Sequence, residues 1–304
     1  MKLPATVHSW ASLFRAGNSV SGVFGVLLGS ILASRGIPSG DHATITVLHS
    51  ISVMTFMFSW NALNDYVDID IDRTNRPDRP LPSGSIKLES AKRGIQITGL
   101  ISVISLALAG YISSTRISGL SEWLPSLAIW SFALVLLFNY ESNSRFSYKM
   151  KDKGLPGNIA ISLSVGLVII FGAASVSKSL DSRSWVVFLI GFLYNLSREI
   201  VKDIEDIEGD EGRNTFAMSS GVDSARALAS ILLLFALAAI LAPFLPFFQI
   251  FTDWHVIFVV PAVVSLMMVK PRLFASEDRA AQTLIKISMQ LCLIAFLAIS
   301  LIPS

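Results

Sequence analysis

Nine stretches of mostly apolar residues, each long enough to cross a bilayer, constrain this chain more than any other feature. A spanning helix needs about 20 such residues. The runs fall at roughly 13–34, 43–64, 94–113, 123–140, 156–176, 185–202, 224–242, 254–270 and 281–302. The fourth and sixth are short or end in polar residues, so their ends are the least sharply marked. Backbone in hydrocarbon must satisfy its own hydrogen bonds, which leaves helices or closed barrels, and no ten-residue alternation recurs to signal barrel strands. Composition agrees: 52% of the 304 residues are hydrophobic and 15% charged, against about 25% charged in a soluble domain. The expected fold is all-α, a polytopic membrane protein of nine transmembrane helices forming one domain over residues 1–304. A soluble Rossmann-type enzyme, a disordered chain and a secreted disulfide scaffold are excluded. The first run lacks a small-residue cleavage site and reads as a retained helix rather than a signal peptide.

Basic residues orient the bundle. With the N-terminus cytoplasmic and segments alternating, 20 of the 24 Lys and Arg fall inside, leaving Arg35, Arg116, Lys178 and Arg183 outside. That asymmetry follows the positive-inside rule and predicts a cell-membrane protein with its C-terminus outside. The single cysteine, Cys292, sits in an apolar run and excludes an intrachain disulfide. His8, His42, His49 and His255 lack ligand spacing and are expected at the surface or interface. Gly22, Gly25 and Gly29 share a small-residue spacing that predicts close helix packing.

The scarce acidic residues are grouped. Span two runs into Asn64-Asp65-Tyr66-Val67-Asp68-Ile69-Asp70-Ile71-Asp72, and span six into Lys202-Asp203-Ile204-Glu205-Asp206-Ile207-Glu208-Gly209-Asp210. Asp65, Asp68 and Asp72, and again Asp203, Asp206 and Asp210, stand at i, i+3 and i+7. At about 100° per residue each trio covers roughly 60° of one helical face. Asp70, Glu205 and Glu208 point elsewhere. The element at 64–72 therefore recurs at 202–210 as an internal repeat. Aligned carboxylates beside hydrocarbon repel one another and are costly. A hard divalent cation accounts for them, because the donors are all oxygens; Mg²⁺ bridging carboxylates to a diphosphate fits best. The bland alternative is solvated interfacial charge paired with Arg73, Arg76 and Arg79.

Asn64-Asp-x-x-Asp-x-x-x-Asp72, followed by Arg73-x-Asn75-Arg76-Pro77-x-Arg79-Pro80 and Gly84, resembles the first signature of the UbiA superfamily of intramembrane prenyltransferases. The cluster from Asp203 to Asp210 resembles its second. The resemblance covers essentially the whole chain. It implies helices around a central cavity open toward the cytoplasmic side, in which two Mg²⁺ ions hold an isoprenyl diphosphate for transfer to an acceptor. The stretch Ser197–Asp210, the segment Tyr148-Lys149-x-Lys151 with Gly154-x-x-Gly157-Asn158, and Arg15-x-x-Asn18 are similar to the archaeal digeranylgeranylglyceryl phosphate synthases. That branch implies transfer of a geranylgeranyl group to geranylgeranylglyceryl phosphate, a prenylated glyceryl phosphate at the membrane lipid surface. The stretch Arg213-Asn214-Thr215-Phe216-Ala217-Met218 departs from the Thr-Leu-Pro-like pattern of those relatives and leaves a divergent acceptor pocket open.

The resemblance assigns roles. Asp65, Asp68 and Asp72 are expected to bind one metal ion, with Asn64 at its edge, and Asp203, Asp206 and Asp210 the other. Asp68, Asp72, Asp206 and Asp210 are the expected catalytic carboxylates. Arg15, Asn18, Asn64, Arg73, Tyr148, Lys149, Lys151, Arg198 and Lys202 are the expected substrate contacts, with Arg198 and Lys202 on one helical face. No nucleic-acid partner is expected. Two other readings stay open: prenyl transfer to an aromatic acceptor, and a cation-coupled transporter. Transporter sites usually lie near the bilayer midplane, whereas these charges cap the ends of helices.

Overall fold

The computed structural model describes residues 5–117, 119–141, 147–207 and 214–302. Among these residues the chain forms α1 (Ala5–Leu13), α2 (Ala16–Ser34), α3 (Gly40–Val67), α4 (Ile69–Asn75), α5 (Leu88–Arg116), α6 (Leu124–Glu141), α7 (Leu155–Ala174), α8 (Ser182–Glu205), α9 (Phe216–Ser220), α10 (Val222–Leu241), α11 (Val256–Met267), α12 (Val269–Phe274) and α13 (Asp278–Leu301). Nine helices among the described residues are long and apolar enough to cross a membrane, and each overlaps one of the nine expected runs. The protein is a multi-pass membrane protein.

Two boundaries differ from expectation in ways that matter for the site. The first run was expected to be helical from residue 13 onward. Instead α1 ends at Leu13, and Arg15 sits in the left-handed region with φ 47° and ψ 51° before α2 begins. A non-glycine residue there costs roughly 1–2 kcal/mol, so neighbouring contacts must hold it. The Phe14 carbonyl accepts from Asn61 Nδ2 at 3.1 Å and from Ser19 Oγ at 3.3 Å, and the Arg15 side chain is anchored on α3. The second apolar run ends near residue 64, and an unbroken helix was expected to carry Asp65, Asp68 and Asp72 beyond it on one face. The helix continues through Val67, bends at Asp68 (φ −85°, ψ 10°) and resumes as α4. Backbone bonds from Asp68 N to Asn64 O and from Asp72 N to Asp68 O keep helical spacing through the bend.

Helices in lipid gain little from apolar burial against one another, so small residues and interhelical hydrogen bonds set the packing. Helix α2 crosses α7 where a Cβ on Gly29 would collide with the Ile169 carbonyl and one on Gly172 with the Val26 carbonyl. On the other side α2 meets α3, which runs beside α5. There Ser52 Oγ donates to Ser102 O at 3.0 Å and Ser102 Oγ to Ser52 O at 2.8 Å. Helix α8 is the centre of the other half, packed by α7, α10 and α13. Tyr194 is fully buried there, with its hydroxyl 2.7 Å from Ser288 Oγ.

His49 corrects the expectation of surface histidines. It is fully buried in α3, with Nδ1 3.0 Å from Ile45 O and Nε2 2.9 Å from Ser126 Oγ. Polar partners inside the bundle make a buried imidazole tolerable. His255 is buried as well.

Replacing Gly29 by Leu should lower thermal stability in detergent by about 3 kcal/mol or more, because the added atoms meet backbone that cannot retreat. Gly17→Leu on the same helix, where a Cβ meets nothing within 4 Å, should melt close to the parent. Equal melting of the two variants would contradict this packing account.

Candidate active site

The end of α3 places the first carboxylates. Asp65 and Asp72 are 3% and 5% exposed, too enclosed for solvated interfacial charge. Both turn toward one cation: Arg79 Nη1 donates to Asp65 Oδ1 at 3.1 Å and to Asp72 Oδ2 at 2.6 Å. Arg79 reaches them because the segment after α4 folds back. Gly84 adopts φ +72°, Ile86 N bonds Pro80 O at 3.0 Å, and Leu81 and Ile86 are buried with Leu13, Ala62 and Ala91. From the opposite side Arg15 Nη2 donates to Asp65 Oδ1 at 2.7 Å and to Asn64 Oδ1 at 3.1 Å. The left-handed residue between α1 and α2 thus aims a guanidinium at the cluster.

Asp68 belongs to a neighbouring group. Lys151 Nζ donates to Asp68 Oδ2 at 2.8 Å and to Glu141 Oε1 at 2.7 Å. The Glu141 side chain is only 5% exposed, and the Lys151 side chain that reaches between the two carboxylates 15%. The bend at Asp68 therefore splits the single face expected of Asp65, Asp68 and Asp72 between two cations. Asp70 points away as expected; its side chain is 85% exposed and pairs with Arg73 at 2.8 Å.

On α8, Asp203 Oδ2 accepts from Asn158 Nδ2 at 2.8 Å, which ties the second cluster to the start of α7. Asp206 caps the C-terminus of α8 through its N–H to Lys202 O. Asp210 lies outside the described residues. Arg198 and Lys202, expected to face substrate together, both turn to Glu199, at 3.0 and 3.7 Å. Asn18 is exposed in the first turn of α2, Tyr148 is exposed with Lys153 Nζ 6.0 Å from its ring centre, and Lys149 is exposed in a left-handed turn with φ 48°. Thr215, in the stretch that departs from the expected pattern, caps α9 by accepting from Met218 N.

Sequence reasoning missed three members. Glu141 closes an apolar run, where one acid at a helix end looks like ordinary interfacial charge. Arg79 entered the sequence reading as part of the signature and as a partner of solvated charge, and Asn158 only as part of a resemblance. A carboxylate left at the C-terminal end of a helix, against the dipole, was the available signal for Glu141.

The donor chemistry suits a hard divalent ion, since every candidate ligand is an oxygen. Asp65 and Asp72 converge on one cationic point, occupied here by the Arg79 guanidinium. Among the described residues no three acidic, His or Cys side chains close on one point as a full metal cage.

The fold and sequence have clear relatives. The digeranylgeranylglyceryl phosphate synthase of Methanopyrus kandleri is 32% identical over 298 residues, spanning 96% of this chain and 99% of that protein. A solved structure described as digeranylgeranylglyceryl phosphate synthase in membranes superposes with a TM-score of 0.73 at 26% identity, covering 97% of this chain and 98% of the other. A UbiA homolog from Archaeoglobus fulgidus bound to DMAPP and Mg²⁺ shares the fold, with a TM-score of 0.64 at 16% identity and coverage of 96% and 98%. Residues 22–296 match the UbiA prenyltransferase family, and the chain belongs to that family.

Proposed function

We propose that this protein is a Mg²⁺-dependent prenyltransferase that moves a geranylgeranyl group from geranylgeranyl diphosphate to geranylgeranylglyceryl phosphate, forming the second ether bond of archaeal membrane lipids. The observation that carries the reading is the pair of buried carboxylates, Asp65 and Asp72, meeting at one cationic point at the end of α3. Support for the acceptor comes from the name shared by relatives of 32% and 31% identity, each aligned over 96% of this chain. Support for the metal and the donor class comes from the DMAPP and Mg²⁺ bound by the Archaeoglobus homolog.

In this reading two Mg²⁺ ions are held, one by Asp65, Asp68 and Asp72 with Asn64 at the edge, the other by Asp203, Asp206 and Asp210. The two elements at 64–72 and 202–210 act as paired halves of one domain. Bound metal neutralises the diphosphate and makes it a better leaving group. Arg15, Arg79 and Lys151 add positive charge to the same end of the bundle, where they hold phosphate oxygens and balance the departing charge. Glu141 keeps Lys151 in place beside Asp68, and Asn158 orients Asp203. Arg198 and Lys202, with Arg73 and Lys149, are the cations available to the acceptor phosphate. The buried apolar residues behind them keep water from the allylic carbon, so the acceptor hydroxyl attacks there. The aspartate end faces the cytoplasm, the N-terminus lies inside and the C-terminus outside.

Purified protein incubated with Mg²⁺ and geranylgeranyl diphosphate should yield ether product with geranylgeranylglyceryl phosphate and none with an aromatic acid. Product from the aromatic acid alone would assign the second reading, and EDTA-insensitive turnover would remove the metal. Within the same assay, Asp68→Ala and Asp206→Ala should each lower kcat by about 100-fold or more, while Asp70→Ala, whose side chain faces outward, should retain activity near the parent. Equal loss in Asp70→Ala would overturn the facial assignment.

A further inference from the structure

The bundle end remote from the aspartates carries few cations: Arg35, Arg116, Lys178 and Arg183. Arg116 pairs with Asp41 at 3.5 Å. The other three gather. Arg35 follows α2 and Lys178 lies in the connection between α7 and α8, and both line a recess of about 510 Å³. Arg183, in the first turn of α8, lines a second recess of about 510 Å³ against the 249–254 segment. The start of α8 packs on α2, with Ser184 Oγ donating to Gly29 O at 3.5 Å, which brings Arg183 to the same end of the bundle as Arg35. Three cations line the two recesses against two carboxylates, Asp181 and Asp253, which leaves a net positive face suited to an anion.

Arg183 is fixed in place. Its Nε donates to Ile250 O at 3.2 Å, and its guanidinium lies 5.2 Å from the centre of the Phe251 ring. Among the described residues its two terminal nitrogens make no hydrogen bond, and Arg35 and Lys178 make no ion pair. Two carboxylates stand nearby. Asp181 already accepts from Ser184 N at 2.9 Å and Ser184 Oγ at 3.1 Å, and Asp253 is exposed at the rim of the Arg183 recess. Each recess also carries an exposed apolar side chain: Leu180, beside Arg35 and Lys178, is 85% exposed, and Trp254, beside Arg183, 57%. Aromatic side chains beside fixed cations are the signature of the boundary between headgroups and acyl chains.

We propose that this face binds the phosphate of an anionic lipid headgroup in the adjacent leaflet, held between Arg183 and the Arg35–Lys178 pair with its chains against Leu180 and Trp254. A guanidinium fork matches phosphate geometry, and a second and third cation complete the charge balance. The lipid ties together the end of α2, the start of α8 and the 245–254 segment.

Cys292 is fully buried, so a fluorophore on Ser179→Cys, whose position lines the Arg35 recess, reads this face alone in the full-length protein. Titration with short-chain phosphatidylglycerol should give a saturable response, with a midpoint at least about tenfold below that of phosphatidylcholine. Adding Arg35→Ser and Lys178→Ser, two exposed positions, should raise the phosphatidylglycerol midpoint by about tenfold or more. Arg183→Gln should do the same. Equal midpoints for the two lipids, or an unchanged midpoint in the double variant, would overturn the proposal. So would an equal response to inorganic phosphate, which would make the site one for a free anion.

Discussion

One guanidinium shared by two buried carboxylates, at the end of a membrane-spanning helix, is the interaction on which the rest of the site depends. Removing one partner from a buried ion pair typically costs about 3–5 kcal/mol, because the other charge is left uncompensated. Asp65 and Asp72 need Arg79, and Arg79 is delivered by the turn that Leu81 and Ile86 pin into the bundle beside Leu13. Asp65 also takes Arg15, whose left-handed backbone is held by the contacts of Phe14. Three separate pieces of chain are thus fixed by one charge problem: the α1–α2 junction, the α3–α4 bend and the segment leading to α5.

The bundle has to supply a rigid frame for this without the driving force that packs soluble cores. It does so with backbone contact at Gly29 and Gly172, with the reciprocal Ser52 and Ser102 bonds, and with Tyr194 bonded to Ser288. Helix α8 links the two ends. It carries Asp203 and Asp206 at one terminus and Arg183 at the other, separated along 24 residues by a mostly buried apolar middle. A single helix therefore ends in aspartates at one end of the bundle and in an arginine at the other.

Much of this was legible before any coordinates. Length and hydropathy alone located nine spans, because in hydrocarbon a helix is nearly the only solution open to such runs. The outward direction of Asp70 followed from helical geometry. What escaped was tertiary in origin. A left-handed arginine has no local signature of the kind a glycine gives, so the junction at Arg15 was hidden. The bend at Asp68 sends that carboxylate to Lys151 instead of Arg79, and only the fold brings Glu141 against the same ammonium. Arg198 and Lys202 share a face as expected, but Glu199, one and three residues away on the same helix, pairs with both.

In the proposed function, the carboxylates now balanced by Arg79 and Lys151 are the ones that bind a divalent ion when diphosphate arrives. Electron paramagnetic resonance of Mn²⁺ titrated into the purified protein with geranylgeranyl diphosphate tests it without turnover. The expected result is a bound-Mn²⁺ signal that Asp72→Asn weakens by about tenfold or more in affinity and that Asp70→Asn leaves unchanged. A bound signal of equal affinity in the parent and in Asp72→Asn would contradict it.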